Sequence, residues 1–157
     1  MVKSRKIAES NGERADLADA LDVCACFNFR KASRAVTQLY DEALQPSGLR
    51  STQLVILLSA AVNPGLGISK LARELVMDAS TLNRNLKPLE KRGLISVEDS
   101  KDGRRRLVTL TAKGQDAVES AVPLWNDAQS KLVAQFGSQR FKDLLKMMGN
   151  LVSMARA

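Results

Sequence analysis

One segment constrains the fold more than any other, because it combines a capped helix with a single buried stripe. Between Asp78 and Gly93, the apolar residues Leu82, Leu86 and Leu89 are spaced i, i+4 and i+7. This spacing is typical of an α-helix that buries one face. Aspartate is a favourable N-cap and glycine a favourable terminator. The sequence therefore predicts an amphipathic helix with its own start and stop signals.

A β-hairpin is predicted directly after that helix. Two short runs rich in apolar and β-branched residues, at 94–98 and 107–110, flank a tip at 100–103 that is polar and contains a glycine. Upstream, a shorter helical pattern opens at Ile68, with Ser69 as its predicted N-cap. A short helix, a turn, a second helix and a hairpin with a basic tip form the layout of a winged helix-turn-helix.

Longer helices are predicted on both sides of this segment. Residues 1–15 lack apolar periodicity and are expected to form a flexible tail. One helix is predicted over about 16–45, a second after Ser51 as N-cap, and two more beyond Thr111 as N-cap. The predicted fold is mainly α, with six helices and a small β-hairpin wing. A single domain covers 16–157, in which a winged-helix lobe at about 50–111 lies between helices at about 16–45 and 112–156.

The composition argues against catalysis and against a bound metal. Histidine is absent and only two cysteines occur, which excludes Ser–His and Cys–His nucleophile pairs and a Cys-only zinc site within one chain. The sequence contains no glycine-rich phosphate loop. We therefore expect neither an enzyme nor a cofactor. No apolar run approaches the ~20 residues of a membrane span, and no signal peptide follows the basic start, so a cytoplasmic protein is the simplest expectation.

The charge distribution points to a polyanionic partner. The formal net charge is +7, and residues 69–113 hold 11 Lys and Arg against 6 Asp and Glu, a surplus of +5. Because basic residues concentrated in one segment are typical of nucleic-acid binding, we expect double-stranded DNA as the partner.

The residues expected to contact DNA lie on two neighbouring elements. The exposed face of the predicted helix carries side chains suited to base edges and phosphates of the major groove, and the hairpin tip carries cations suited to the minor groove. They are Ser80, Thr81, Asn83, Arg84 and Lys87 on the helix, and Lys101, Arg104, Arg105 and Arg106 at the tip. The alternative is that these are merely solvated faces of a basic protein. Two adjacent basic elements favour DNA binding over that alternative.

Several segments together carry a family pattern. They are residues 68–72, 80–84 and 89–95 and, most specifically, Asp102-Gly103-Arg104 followed by residues 107–114. In these segments, and from about Leu17 to Val152 overall, the chain resembles the MarR family of bacterial transcriptional regulators. The resemblance implies a homodimer, built from the first and last two helices, that binds a pseudo-palindromic operator. It also implies that Arg104 enters the minor groove and that Asp102 stabilises the wing.

The expected function is a sequence-specific repressor that an effector releases from its operator. A small molecule, an oxidant and a soft metalloid are the effector classes that remain open. The alternative is a protein of another class, which binds DNA without reading its sequence or acts as an interaction protein. Both classes predict a strong salt dependence, and they differ in their contacts with base edges.

Cys24 and Cys26 form a Cys-x-Cys pattern on the predicted first helix. Side chains at i and i+2 of a helix point about 200° apart, so a disulfide between them is disfavoured. We favour structural packing for both, because free cysteine is commonly buried. The alternative is a thiol sensor. The stretch at Cys26 resembles the organic-hydroperoxide branch of the family, although Ser51 and Leu54 stand where that branch has tyrosines. A soft metalloid bridging thiols across the dimer is a further alternative.

Overall fold

A computed structural model describes residues 19–156. The predicted tail at 1–15 lies outside this range. Within it, the chain is mostly helical and carries a small antiparallel sheet, which confirms the predicted fold class. The helices are residues 19–23 (α1), α2 (Ala25–Leu44), α3 (Ser51–Val62), α4 (Ile68–Glu74), α5 (Ala79–Lys91), α6 (Ala112–Phe136) and α7 (Ser138–Met154), and the strands are β1 (Leu66–Gly67), β2 (Ile95–Asp99) and β3 (Arg106–Leu110).

The described range holds seven α-helices where six were predicted, because the first predicted helix is interrupted at Cys24. The Asn28 side-chain amide donates to the carbonyls of Asp22 at 2.9 Å and of Cys24 at 3.0 Å. A side-chain donor of this kind competes with the backbone for helix carbonyls and compensates for the broken ladder. The apolar periodicity is the same on both sides of the break, so it could not reveal the interruption.

The chain divides between Leu39 and Tyr40 into two compact units. The second unit contains the hydrophobic core, which is built from helices α3 to α6 and the sheet. Buried leucines dominate this core because each helix contributes one apolar stripe. Its largest fully buried side chains are Leu44, Leu54, Ile56, Leu57, Leu71, Leu82, Leu89 and Val108.

Two of the four predicted N-caps are confirmed. The Asp78 side chain accepts from the backbone N–H of Thr81, and the Thr111 hydroxyl accepts from that of Gly114. The predictions for Ser51 and Ser69 are wrong, since the caps there are Arg50 and Gly67.

A physical reason accounts for each wrong cap. Ser51 is already helical, and its N–H and hydroxyl both donate to Asp41 Oδ1 at 2.7 Å. At the other helix, Gly67 pairs with Leu107 in the sheet, so the backbone stays extended up to Gly67 and α4 begins at Ile68.

The wing is a three-stranded sheet in the order β1-β3-β2. Strands β2 and β3 form the predicted hairpin, with Val97 opposite Val108 and Asp99 opposite Arg106. Strand β1 was not predicted. Its two residues pair with Leu107 and Val108, and so short a strand has no periodicity to detect. The pairing with β1 attaches the wing to the residues that immediately precede α4.

Candidate nucleic-acid interface

Helix α5 packs on the core through its leucine stripe. Leu82 and Leu89 are fully buried and Leu86 is 3% exposed, as the i, i+4, i+7 spacing predicts. The opposite face carries the candidate contact residues, none of which is acidic. Ser80, Arg84 and Lys87 are exposed, and Thr81 and Asn83 are half-buried.

Hydrogen bonds fix the turn between α4 and α5. The Met77 N–H donates to the carbonyl of Ala72 at 2.9 Å, and the Val76 N–H donates to the carbonyl of Arg73 at 3.2 Å. Val76 has a φ of 53°, a left-handed conformation that β-branched residues rarely adopt. The Arg156 guanidinium donates to the same Arg73 carbonyl at 2.9 Å. The hydrogen bonds around this residue therefore hold a turn in which glycine would be the easier choice.

Asp78 binds the first two hydroxyl groups of α5. Its Oδ1 accepts from Ser80 Oγ at 2.6 Å and from the Thr81 N–H at 2.8 Å, and its Oδ2 accepts from Thr81 Oγ1 at 2.6 Å. The hydrogen bonds from Ser80, and then those from Thr81, hold the pKa of this carboxyl well below its usual range. Arg84 Nη2 donates to Thr81 Oγ1 at 3.4 Å. The start of α5 is thus a connected polar cluster.

The wing tip is held by a second small cluster. The Ser100 hydroxyl donates to Asp102 Oδ1 and accepts from the Arg105 N–H at 3.0 Å. Asp102 Oδ1 also accepts from the Arg104 N–H at 3.2 Å. The hydrogen bond from Ser100, followed by that from Arg104, lowers the pKa of the Asp102 carboxyl. The backbone of the tip is therefore fixed, while Lys101 and the three consecutive arginines remain exposed.

A cleft of about 520 Å³ lies between the wing, α4 and α5. It brings together Asn83 of α5 and the three wing arginines, which were predicted separately from the sequence. The lining residues include five cations and no carboxylate, so this surface suits an anionic partner. They are Gly67, Ile68, Ser69, Lys70, Arg73, Ala79, Asn83, Arg104, Arg105 and Arg106.

Two cations of this cleft were missed by sequence reasoning. Lys70 and Arg73 lie on the exposed face of α4, where their i, i+3 spacing was a usable signal. Lys70 Nζ lies 3.9 Å from Glu74 Oε1, and such an exposed pair is worth little. Five predicted contact residues do not line the cleft: Ser80, Thr81, Arg84, Lys87 and Lys101. All of these are exposed except Thr81, which is half-buried.

The two cysteines do not lie on one helix. Cys24 is half-buried at the break between α1 and α2, and Cys26 is exposed at the start of α2. Because no continuous helix runs through both residues, helix geometry does not disfavour a disulfide between them, contrary to the prediction. Within one chain, neither cysteine belongs to the buried core, so structural packing remains a prediction about a larger assembly.

In residues 19–156, the side chains of Cys, Asp and Glu do not gather in groups of three or more that could hold a metal ion. In the same range, no helix is both long enough and apolar enough to cross a membrane.

Comparisons with known proteins place the chain in a family. Residues 49–107 match the model of the MarR family. The fold also matches the crystal structure of the transcriptional regulator MosR of Mycobacterium tuberculosis in complex with DNA, with a TM-score of 0.78. The match covers 85% of this chain and 96% of the MosR chain, and the two sequences are 36% identical. The chain belongs to the MarR family. The matched range contains α3, α4, α5, β2 and the wing tip, and therefore both candidate contact elements.

Other MarR-type relatives match over shorter lengths. The regulator SarZ of Staphylococcus saprophyticus is 34% identical over 95 residues, which cover 60% of this chain and 65% of SarZ. The regulator HosA of Escherichia coli is 29% identical over 106 residues, which cover 65% of this chain and 78% of HosA. The chain thus spans slightly less than two thirds of SarZ. All three relatives are named as transcriptional regulators, not as enzymes.

Proposed function

We propose that this MarR-family chain is a homodimeric, sequence-specific repressor that binds double-stranded operator DNA in the cytoplasm. Helix α5 reads the major groove through the face that carries Asn83 and Arg84, and the wing places Arg104 in the minor groove. The observation that carries the proposal is the cleft in which α4 and the wing present five cations, α5 presents Asn83, and no carboxylate lines the surface. The MosR–DNA complex supports it, because it has the same fold at 36% identity.

An apolar stripe on α7 supports the dimer. Leu145, Met148 and Val152 lie on one face of that helix and are 51%, 38% and 42% exposed. Soluble monomers rarely expose a contiguous apolar surface of this kind, whereas a two-fold interface would cover it. We expect the purified chain to elute at twice the mass of one chain in size exclusion with light scattering.

Single substitutions locate this interface. Met148→Glu is expected to shift the protein to a monomer, because the stripe then carries a charge that dimerisation would bury. Asn150→Glu adds the same charge on the far side of α7 and should leave the dimer intact. A wild-type protein that elutes as a monomer at micromolar concentration would contradict the homodimer.

Specific recognition is tested against the alternative of binding without sequence preference. Asn83→Ala and Arg84→Ala should each weaken binding to an operator by ~1–3 kcal/mol and binding to random duplex by far less, since only the operator offers matched base edges. Kd values from fluorescence anisotropy at fixed salt provide the measurement. Lys131→Ala on α6 removes an exposed cation away from the cleft and serves as the charge control. Equal losses on both duplexes would favour the alternative.

The effector remains one of three classes. A cavity of about 170 Å³ lined by Tyr40, Leu54 and Trp125, among others, has room for one aromatic ring and supports a small-molecule effector. The exposure of Cys26 supports an oxidant or a soft metalloid. An effector releases DNA only if it binds the DNA-free state more tightly.

A release assay separates these classes. Benzoate, hydrogen peroxide and arsenite are added in turn to the protein–operator complex. Release by peroxide or arsenite that is lost in Cys24→Ser or Cys26→Ser assigns a thiol effector, whereas release by benzoate that persists in both variants assigns the cavity. If none of the three releases DNA, the effector part of the proposal fails while operator binding stands.

A further inference from the structure

The start of α5 contains two hydroxyl groups whose protons are already used. Ser80 Oγ and Thr81 Oγ1 each lie 2.6 Å from an oxygen of the Asp78 carboxylate. An ionised carboxylate only accepts hydrogen bonds, so the proton in each pair comes from the hydroxyl. A hydroxyl has one proton and two lone pairs. Away from Asp78, therefore, both side chains present acceptors.

This arrangement determines which DNA groups the two hydroxyls can meet. Phosphate oxygens are acceptors, so a hydroxyl that has donated its proton to Asp78 has nothing to offer them. In the major groove, the exocyclic amino groups N4 of cytosine and N6 of adenine are donors. Ser80 is exposed and Thr81 is half-buried beside it. Their hydroxyl oxygens can therefore accept hydrogen bonds from base amino groups but cannot donate to the phosphates of the DNA backbone.

The neighbouring charged groups differ in their effect. Arg84 Nη2 donates to Thr81 Oγ1 at 3.4 Å, which fills one of the two lone pairs of that oxygen and leaves the other for a base amino group. The Asp78 carboxylate is exposed at the DNA-facing end of α5 and carries a negative charge that disfavours approach to phosphate. Its depressed pKa keeps that charge present in mildly acidic solution.

From this geometry we infer that Asp78 is a specificity-determining positioning residue, which makes Ser80 and Thr81 acceptors for base amino groups and prevents them from donating to phosphates. The inference rests on the proposed function and goes beyond it, since it assigns the chemical group that these two residues read. It predicts at least one cytosine or adenine in each half-site whose amino group is contacted there.

A double-mutant cycle on DNA tests the inference. The wild-type full chain first selects its preferred duplex from a random library. Each cytosine or adenine of that duplex is then replaced by an analogue lacking the amino group, 2-pyrimidinone or purine. At one or more positions, the replacement should weaken wild-type binding about tenfold. In Ser80→Ala or Thr81→Val, the same replacement should cost less than about twofold, because the acceptor is gone.

Asp78→Asn isolates the role of the carboxylate. Asparagine caps helices as well as aspartate does, so the melting temperature should hardly change. While the single amide oxygen caps the Thr81 N–H, it can accept a hydrogen bond from only one of the two hydroxyl groups. The other hydroxyl group is then free to donate its proton to a phosphate. We expect the ratio of random-duplex Kd to selected-duplex Kd to fall about tenfold, mainly through tighter binding to random duplex. Thr81→Ser keeps the hydroxyl and should behave like wild type.

The failures of the two proposals are distinguishable. If the library yields no enriched sequence, the specific repressor and this inference fall together. If a sequence is enriched but loss of each amino group costs the same factor in wild type, Ser80→Ala and Thr81→Val, only the inference is overturned. An unchanged discrimination ratio in Asp78→Asn would also overturn it.

Discussion

Gly114→Ala is expected to lower the free energy of unfolding by about 3 kcal/mol. Gly114 is buried in the first turn of α6. A Cβ placed there would overlap the carbonyl oxygen of Leu94 and lie 2.9 Å from the carbonyl carbon. It would also lie 2.7 Å from Leu110 Cδ1. Because the obstruction is backbone, side-chain rotation cannot relieve it.

The surrounding hydrogen bonds explain why this approach is so close. The Thr111 N–H donates to the Leu94 carbonyl at 3.2 Å, and the Thr111 hydroxyl donates to the Gly93 carbonyl at 2.7 Å while it caps the Gly114 N–H at 3.0 Å. The end of α5, the start of β2 and the first turn of α6 therefore meet at Gly114. Moving the backbone to admit a methyl group would break at least one of these bonds.

Gly149→Ala is the matched control. Gly149 also lies inside a helix, α7, and within one chain a Cβ there would have no neighbour within 4 Å. Because Gly149 lies beside the apolar stripe of α7, this variant is first shown to elute at the same mass as the wild type. Relief of glycine's helix penalty should make this variant more stable by ~0.5–1 kcal/mol. Urea unfolding of both variants at the same protein concentration provides the comparison. If Gly114→Ala unfolded at the wild-type midpoint, the packing described at Leu94 would be wrong.

Gly114 illustrates what the sequence could not reveal about the fold. The core stripe of Leu82, Leu86 and Leu89 was predictable because helix periodicity is a local property. The caps at Asp78 and Thr111 were predictable for the same reason. Whether a glycine is needed for a close approach depends on a residue twenty positions away, here Leu94, and no local pattern records it.

The missed strand and the wrong caps have the same origin. Strand β1 exists because its two residues pair with Leu107 and Val108 some forty residues later. Ser69 matched the N-cap preference locally, but this pairing keeps Gly67 extended and places the helix start at Ile68. Tertiary contact therefore overrode a correct local preference.

The candidate interface was predictable as a list of residues but not as a surface. Composition and the leucine stripe were sufficient to name Asn83 and Arg84 on α5. The i, i+3 spacing of Lys70 and Arg73 could place them on one exposed face of α4, but their position beside the wing arginines required the fold, since only the packing of α4 brings that face to the wing. The donor state of the hydroxyls also required it, because only their distances to the Asp78 oxygens assign the protons.

The second large effect is expected at the wing. Replacing Arg104, Arg105 and Arg106 together by glutamine should make the slope of log K against log salt shallower by up to about 5, because the two wings of the proposed homodimer together lose up to six phosphate contacts and each contact contributes ~0.9 to the slope. All three side chains are exposed, so folding should be unaffected. Titrations of operator and random duplex from 50 to 200 mM salt give the slope for each. Binding should weaken on both duplexes.

Net charge alone could mimic this result, and a second triple variant separates the two causes. Arg140, Lys142 and Lys146 are exposed cations of α7, and replacing them by glutamine removes the same three positive charges from the chain's net +7. A general attraction between a basic protein and DNA would lower the slope equally in both variants. If counterions are released locally at the cleft, the salt slope falls in the wing variant and stays nearly unchanged in the α7 variant. The reason is that charges more than a Debye length of about 8–10 Å from a phosphate are largely screened. Equal slopes would therefore refute the wing as a contact element, even with binding itself intact.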